Sequence, residues 1–216
     1  MTSPLIEHTI AFVKKQLENA EGGHDWFHIE RVWKNALLIA QGENCNLEIV
    51  QLGALLHDIA DSKFHDGDET IGPRTARTFL ESHNVSGETI LHVIGIIENI
   101  SFKGGNFERK FSSKELDIVQ DADRLDALGA IGIARCFNYG GFKNRALYNP
   151  EIVPNLNMSK EEYKKSDSPT LNHFYEKLLL LKDKMNTETG KQIALQRHQY
   201  MEDFLAQFYA EWNGQR

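Results

Sequence analysis

Ile49-Val50-Gln51-Leu52-Gly53-Ala54-Leu55-Leu56-His57-Asp58 is the stretch on which the fold turns. Its apolar run is too continuous for a helix with one wet face, and it reads as a buried helix predicted to extend from about Leu47 through Asp61. The run closes on an imidazole and a carboxylate at adjacent positions. Burying an ionised carboxylate without a compensating charge costs on the order of several kcal/mol, so the pair predicts a neutralising partner. A metal ion is the simplest one.

Outward from this stretch, apolar residues keep helical spacing through most of the chain and convincing period-two runs are absent, so the predicted fold is all-α. Ser3-Pro4 supplies a cap and a first-position proline for a helix toward Asn19, with Ile6, Ile10, Val13 and Leu17 on its apolar face. Gly22-Gly23 ends it. Asp25 caps a second helix that carries Trp26, His28, Arg31 and Val32. Further helices are predicted over Pro73 to Ser82, and over Glu88 to Ile100 after a Ser86 cap. Ser112-Ser113-Lys114-Glu115 reads as a capping box opening the helix of Asp123. In the tail, Ser168-Pro169 opens one helix and another runs from Lys191 to Trp212. The segments from Lys63 to Glu69 and from Tyr139 to Asp167 resist regular assignment, and long irregular loops are often functional.

Length and charge narrow the class. A chain of 216 residues suits one sizeable core, and the expectation is a single compact helical domain over 1–216. Its metal core would cover about 22–140, with C-terminal helices at 168–213 packed on it. A composition of 41% hydrophobic and 25% charged residues is that of a globular protein. The net charge of -7 argues against stable nucleic-acid binding, although a local metal and a few arginines can still hold a nucleotide. The two cysteines, Cys45 and Cys136, form neither a metal spacing nor a disulfide framework, and no membrane-spanning stretch is present. These features predict a cytoplasmic protein that does not engage membranes.

The dipeptide His-Asp occurs three times, at His24-Asp25, His57-Asp58 and His65-Asp66, and context separates the copies. Only the copy at 57 follows an apolar helical run; His65 lies in a turn-like stretch with Asp66, Gly67 and Asp68. His24 and His28 would share one face of a continuous helix, but with Asp25 as the cap only His28 points inward. His24 is then a nearby orienting residue. A lone His28 beside Trp26 and Phe27 would read as a core histidine; its co-occurrence with His57-Asp58 and an acidic helix makes it a candidate ligand. That helix carries Asp121, Asp123 and Asp126, which repel one another unless cations intervene. Asp121 and Asp126 could equally be solvated or paired with Arg124.

A histidine, then His-Asp, then a distant aspartate within Ala122-Asp123-Arg124-Leu125 resembles the HD-domain metal-dependent phosphohydrolases. The runs His24 to Val32 and Asp121 to Gly132 are similar to a bacterial branch of small standalone members. The resemblance covers roughly residues 22–140 and implies Asp123 as the fourth ligand beside His28, His57 and Asp58. It implies hydrolysis of a phosphoester or pyrophosphate bond, with a small phosphorylated substrate, most simply a nucleotide. Asp61, three residues after Asp58, would stay beside the ligands on a continuous helix and serve as general base or water-orienting group. The family's alarmone-hydrolysing branch carries an acid at the matching position, but its neighbouring second acid is matched here by Ser62.

Two imidazoles and two carboxylates suit one six-coordinate divalent ion of the Mn, Mg, Fe, Co or Ni type, with manganese favoured, better than a closed tetrahedral zinc site. Phosphate chemistry also needs cations, and Arg31, Lys63, Lys103 and Arg124 are the candidates for substrate binding. Arg135 and Lys143 are further ones. Two alternatives stay open. A dinuclear-iron oxygenase of the same fold would need two more histidines from among His65, His83 and His92. A non-catalytic nucleotide sensor with a structural metal would need no base at Asp61.

Overall fold

The computed structural model describes residues 3–18, 25–59, 68, 70–100, 111–158, 162 and 166–216. His24, Asp61, Lys63, His65, Asp66 and Lys103 lie outside the described residues. The chain divides into two compact units, Met1–Asp123 and Arg124–Arg216. Among the described residues there is no strand, and the fold is all-α.

The first unit contains α1 (Pro4–Gln16), α2 (Trp26–Ala40), α3 (Leu47–Leu56), α4 (Ile71–Ser82), α5 (Gly87–Asn99) and most of α6 (Lys114–Leu125). Helix α3 is its centre, packed against α1, α2 and α5. That surround explains the unbroken apolar run: Leu52, Ala54, Leu55 and Leu56 are all fully buried. Gly53 permits the close approach, because a Cβ there would come within 3.0 Å of Ile96 on α5 and 3.4 Å of Val119 on α6. Asn46 caps α3 by accepting from the amides of Glu48 and Ile49. Ser3, Asp25 and Ser86 cap α1, α2 and α5 as their sequence positions predict.

Two expectations do not hold. Helix α3 stops at Leu56 rather than Asp61: the His57 ring turns back and its Nδ1 bonds the Ala54 carbonyl at 2.8 Å, one of the last four carbonyls of the helix. His57 and Asp58 therefore occupy a turn at the helix end. At α6 the capping residue is Ser113, whose Oγ accepts from the Leu116 amide at 3.0 Å. No Ser112–Glu115 box is needed, because Glu115 is drawn away to accept from the Asn46 amide at 2.8 Å.

The second unit contains α7 (Gly129–Phe142), α8 (Asn172–Glu176), a 3₁₀ segment (Leu178–Lys184) and α9 (Glu188–Trp212). Helix α7 carries Tyr139 to Phe142, which corrects the start of the expected irregular segment. Gly140 is buried against Thr170, leaving no space for a side chain. Ser168-Pro169 does not open a helix directly: the Pro169 carbonyl accepts from Asn172 in a tight turn, and α8 begins only there. The last helix starts at Glu188, three residues earlier than predicted, capped by Thr187.

Candidate metal centre

Three helix ends supply the predicted ligands. His28 sits in the first turn of α2, where its amide donates to the Asp25 carboxylate at 2.9 Å. His57 and Asp58 follow the last residue of α3, and Asp123 occupies the last turn of α6. Two of the three groups thus meet at helix C-termini, where partially negative carbonyl ends favour a cation.

Their atoms converge within the first unit. One ligand atom each from His28, His57 and Asp58 lie within 4.8 Å of one another, a grouping able to hold a metal ion. Asp123 Oδ1 lies 3.5 Å from His28 Nε2 and 4.0 Å from His57 Nε2. The two imidazoles stand edge to face, with ring centroids 5.4 Å apart. The bond from His57 Nδ1 to the Ala54 carbonyl assigns the proton to Nδ1 and leaves the Nε2 lone pair for a ligand. Both histidine side chains are 4% exposed, whereas Asp123 is 40% exposed, so the site has a dry imidazole floor and an open carboxylate side.

That openness revises the burial argument. Asp58 and Asp123 are both half-buried; the fully buried acids on and after α6 are Asp121 and Asp126. Asp126 forms a direct ion pair with Arg135 within the second unit. Arg124 donates through Nη1 to the Lys184 carbonyl at 2.5 Å. Arg31 is half-buried on α2, one turn beyond His28. Asp61, Lys63 and Lys103 lie outside the described residues.

Of the histidines that a dinuclear centre would draw on, His92 and His83 make other contacts, and His65 lies outside the described residues. His92 Nε2 lies 3.2 Å from Glu115 Oε2 and 2.9 Å from Ser113 Oγ, fastening α5 to the start of α6. Both partners crowd the same ring nitrogen, so the trio is not a Ser-His-acid relay, which needs its acid on the other nitrogen. His83 bonds the Phe79 carbonyl through Nδ1 at 2.9 Å.

Some contacts around the ligands were not anticipated. Asn35 on α2 donates through Nδ2 to the Ala122 carbonyl on α6 at 3.4 Å. Gln120 donates to the Asn99 and Ile100 carbonyls at the end of α5, at 2.9 and 3.1 Å. Asn35 left a signal in the sequence: it falls in the buried stripe of α2 formed by His28, Ile29, Val32, Ala36 and Ile39. An amide on an apolar stripe calls for a buried partner.

Comparison with known proteins agrees with this architecture. The HD domain family matches residues 26–128. The chain is 37% identical over 204 residues to an uncharacterised protein of Bacillus subtilis strain 168, YpgQ, covering 93% of this chain and 90% of that one. Among solved structures, an HD-superfamily hydrolase from Bacillus thuringiensis aligns with a TM-score of 0.79 and 48% identity, covering 96% of each chain. Bacillus subtilis YpgQ in complex with ADP aligns with a TM-score of 0.74 and 33% identity, covering 96% of this chain and 94% of that one. By sequence, by helical fold and by its His/His-Asp cluster, the chain belongs to the HD-domain superfamily.

Proposed function

We propose that the protein is a metal-dependent phosphohydrolase that cleaves phosphoester or pyrophosphate bonds of nucleotides. It would use one divalent ion, manganese by preference, held by His28, His57, Asp58 and Asp123. The observation that carries the reading is the convergence of three helix ends on a mixed nitrogen and oxygen donor set, with the Nε2 lone pair of His57 presented to its neighbours. Such a set suits a divalent ion with open coordination positions. When bound, that ion supplies Lewis acidity toward a water and a phosphoryl oxygen.

The chain's own groups would do the rest. His28 and His57 orient the site from its dry side, and Asp58 and Asp123 offset the cation's charge. Asp61 is proposed to take the proton from the attacking water. Arg31, Lys63 and Lys103 are proposed to hold substrate phosphates, a local positive field that a chain of net charge -7 needs. Arg124, with its guanidinium on Lys184, is the weakest of the four predicted cations for that task. The ADP complex of the 33% identical YpgQ supports a nucleotide as the substrate class. No described helix is long and apolar enough to cross a membrane, which agrees with the proposed cytoplasmic setting and small-molecule substrate.

The test is a panel of nucleoside mono-, di- and triphosphates incubated with the full chain and Mn²⁺, with orthophosphate and pyrophosphate resolved as products. Release of one of them from a subset of the panel, abolished by EDTA, is the expected result. Turnover undiminished by EDTA, or none from any member, contradicts it.

A further inference from the structure

The side chain of Asn35 donates to the Ala122 carbonyl and so joins the two helices that carry His28 and Asp123. We propose that Asn35 is a positioning residue for the metal centre, setting the aim of Asp123 through the Ala122 carbonyl. The inference rests on the reading of His28, His57, Asp58 and Asp123 as metal ligands.

The argument begins with the end of α6. Its last residue is Leu125, so the carbonyls of Asp123, Arg124 and Leu125 have no partner within the helix, and that of Ala122 is the last before them. An end left in that state frays, and a ligand in its last turn would inherit the looseness. The Arg124 and Leu125 carbonyls are met by the amides of Ala127 and Leu128 at 3.1 Å each. Asn35 meets the Ala122 carbonyl in a buried bond.

That carbonyl belongs to the peptide plane immediately preceding the Asp123 Cα. Tilting the plane swings the Cα–Cβ direction of Asp123, and with it the Oδ1 atom 3.5 Å from His28 Nε2. Asn35 is also two turns along the same buried stripe as His28. The bond therefore ties the Asp123 peptide to the helix that carries His28. Gln120 provides the natural comparison. It is buried on α6, donates to two carbonyls at the end of α5, and bears on the stability of the same helix from a different side.

Mn²⁺ binding to EDTA-stripped full-length protein, measured by calorimetry and by the Mn²⁺ electron paramagnetic resonance spectrum, tests the assignment. Asn35→Leu keeps the branching and heavy-atom count and removes the donor; Gln120→Leu removes the donor at the comparison site. The expected result is Mn²⁺ affinity lowered roughly 10–100-fold, with an altered spectrum, in Asn35→Leu, the range found for residues that orient ligands. Gln120→Leu should bind within about threefold of wild type even where its melting temperature falls as far, since lost stability alone does not redirect a ligand. If Asn35→Leu does not fold, Asn35→Asp, of the same shape without the amide donor, decides by the same measurement. Wild-type affinity and spectrum in the folded variant, an equal loss in Gln120→Leu, or failure of both Asn35 variants to fold overturns the proposal and leaves Asn35 a core strut. Wild-type protein that binds no Mn²⁺ overturns instead the metal reading on which it rests.

Discussion

His28 Nε2 and Asp123 Oδ1 lie 3.5 Å apart, although one residue opens α2 and the other closes α6. A separation this short between an imidazole nitrogen and a carboxylate, with His57 Nε2 4.0 Å from the same oxygen, leaves room for a shared cation after small side-chain adjustments. Elemental analysis of gently purified protein should find one divalent metal per chain. Asp123→Asn and His57→Ala should each lose most of it, and EDTA should lower the melting temperature of wild type but not of His57→Ala. Two metals per chain, or full metal content in His57→Ala, would contradict the ligand set.

Asp61→Asn separates a base from a ligand. The variant should fold and keep its metal while kcat falls roughly 10²–10⁴-fold, the usual contribution of a positioned acid or base. Loss of metal would make Asp61 a fifth ligand. Undiminished turnover would move the base elsewhere.

Substrate phosphates are the proposed partners of Arg31 and Lys63. Alanine at either position should raise KM, lower kcat, or both, by about 1.5–3 kcal/mol for a lost charge-assisted hydrogen bond. Arg124→Met should behave differently, because its guanidinium serves the Lys184 carbonyl: stability should fall with kinetics close to wild type. Reversed outcomes would exchange these roles.

His173 makes the second unit acid-sensitive. Burial, reinforced by the positive charges of Lys177 and Arg145, lowers its pKa from 6.5 to about 4. Between those values the unfolded chain binds the proton that the folded ring refuses, so this stability is fully present above pH 6.5 and is lost as pH falls toward 4. The full effect is on the order of 3 kcal/mol at 1.36 kcal/mol per unit. Urea unfolding of wild type and His173→Gln at pH 7.5 and near pH 4.5 checks it: the variant should lose distinctly less stability on acidification. Equal losses would show that the ring titrates normally.

Periodicity and capping chemistry made most of the fold legible. Asp25, Ser3 and Ser86 stand where a carboxylate or hydroxyl can meet free amides, and the apolar run of α3 has no face left for water. The ligand residues were legible because four metal-binding side chains fall in the order of the HD family. The end of α3 was not, since it is set by an imidazole reaching back to the Ala54 carbonyl, a bond that leaves no periodic trace. The same holds for Asp126: only the folded chain brings Arg135, nine residues on, into an ion pair with it. Acids crowded on one helix were read together, yet Asp121 and Asp126 are buried while Asp123 stays open, a sorting made by tertiary packing.

The most direct test of metal-dependent hydrolysis is a titration of EDTA-stripped wild-type protein with Mn²⁺, following bound metal and phosphate release from the best nucleotide of the panel in the same samples. Turnover should be absent without metal and rise in step with occupancy, levelling at one ion per chain. Full turnover in the stripped protein, or saturating metal with no phosphate released from any nucleotide, would contradict the assignment.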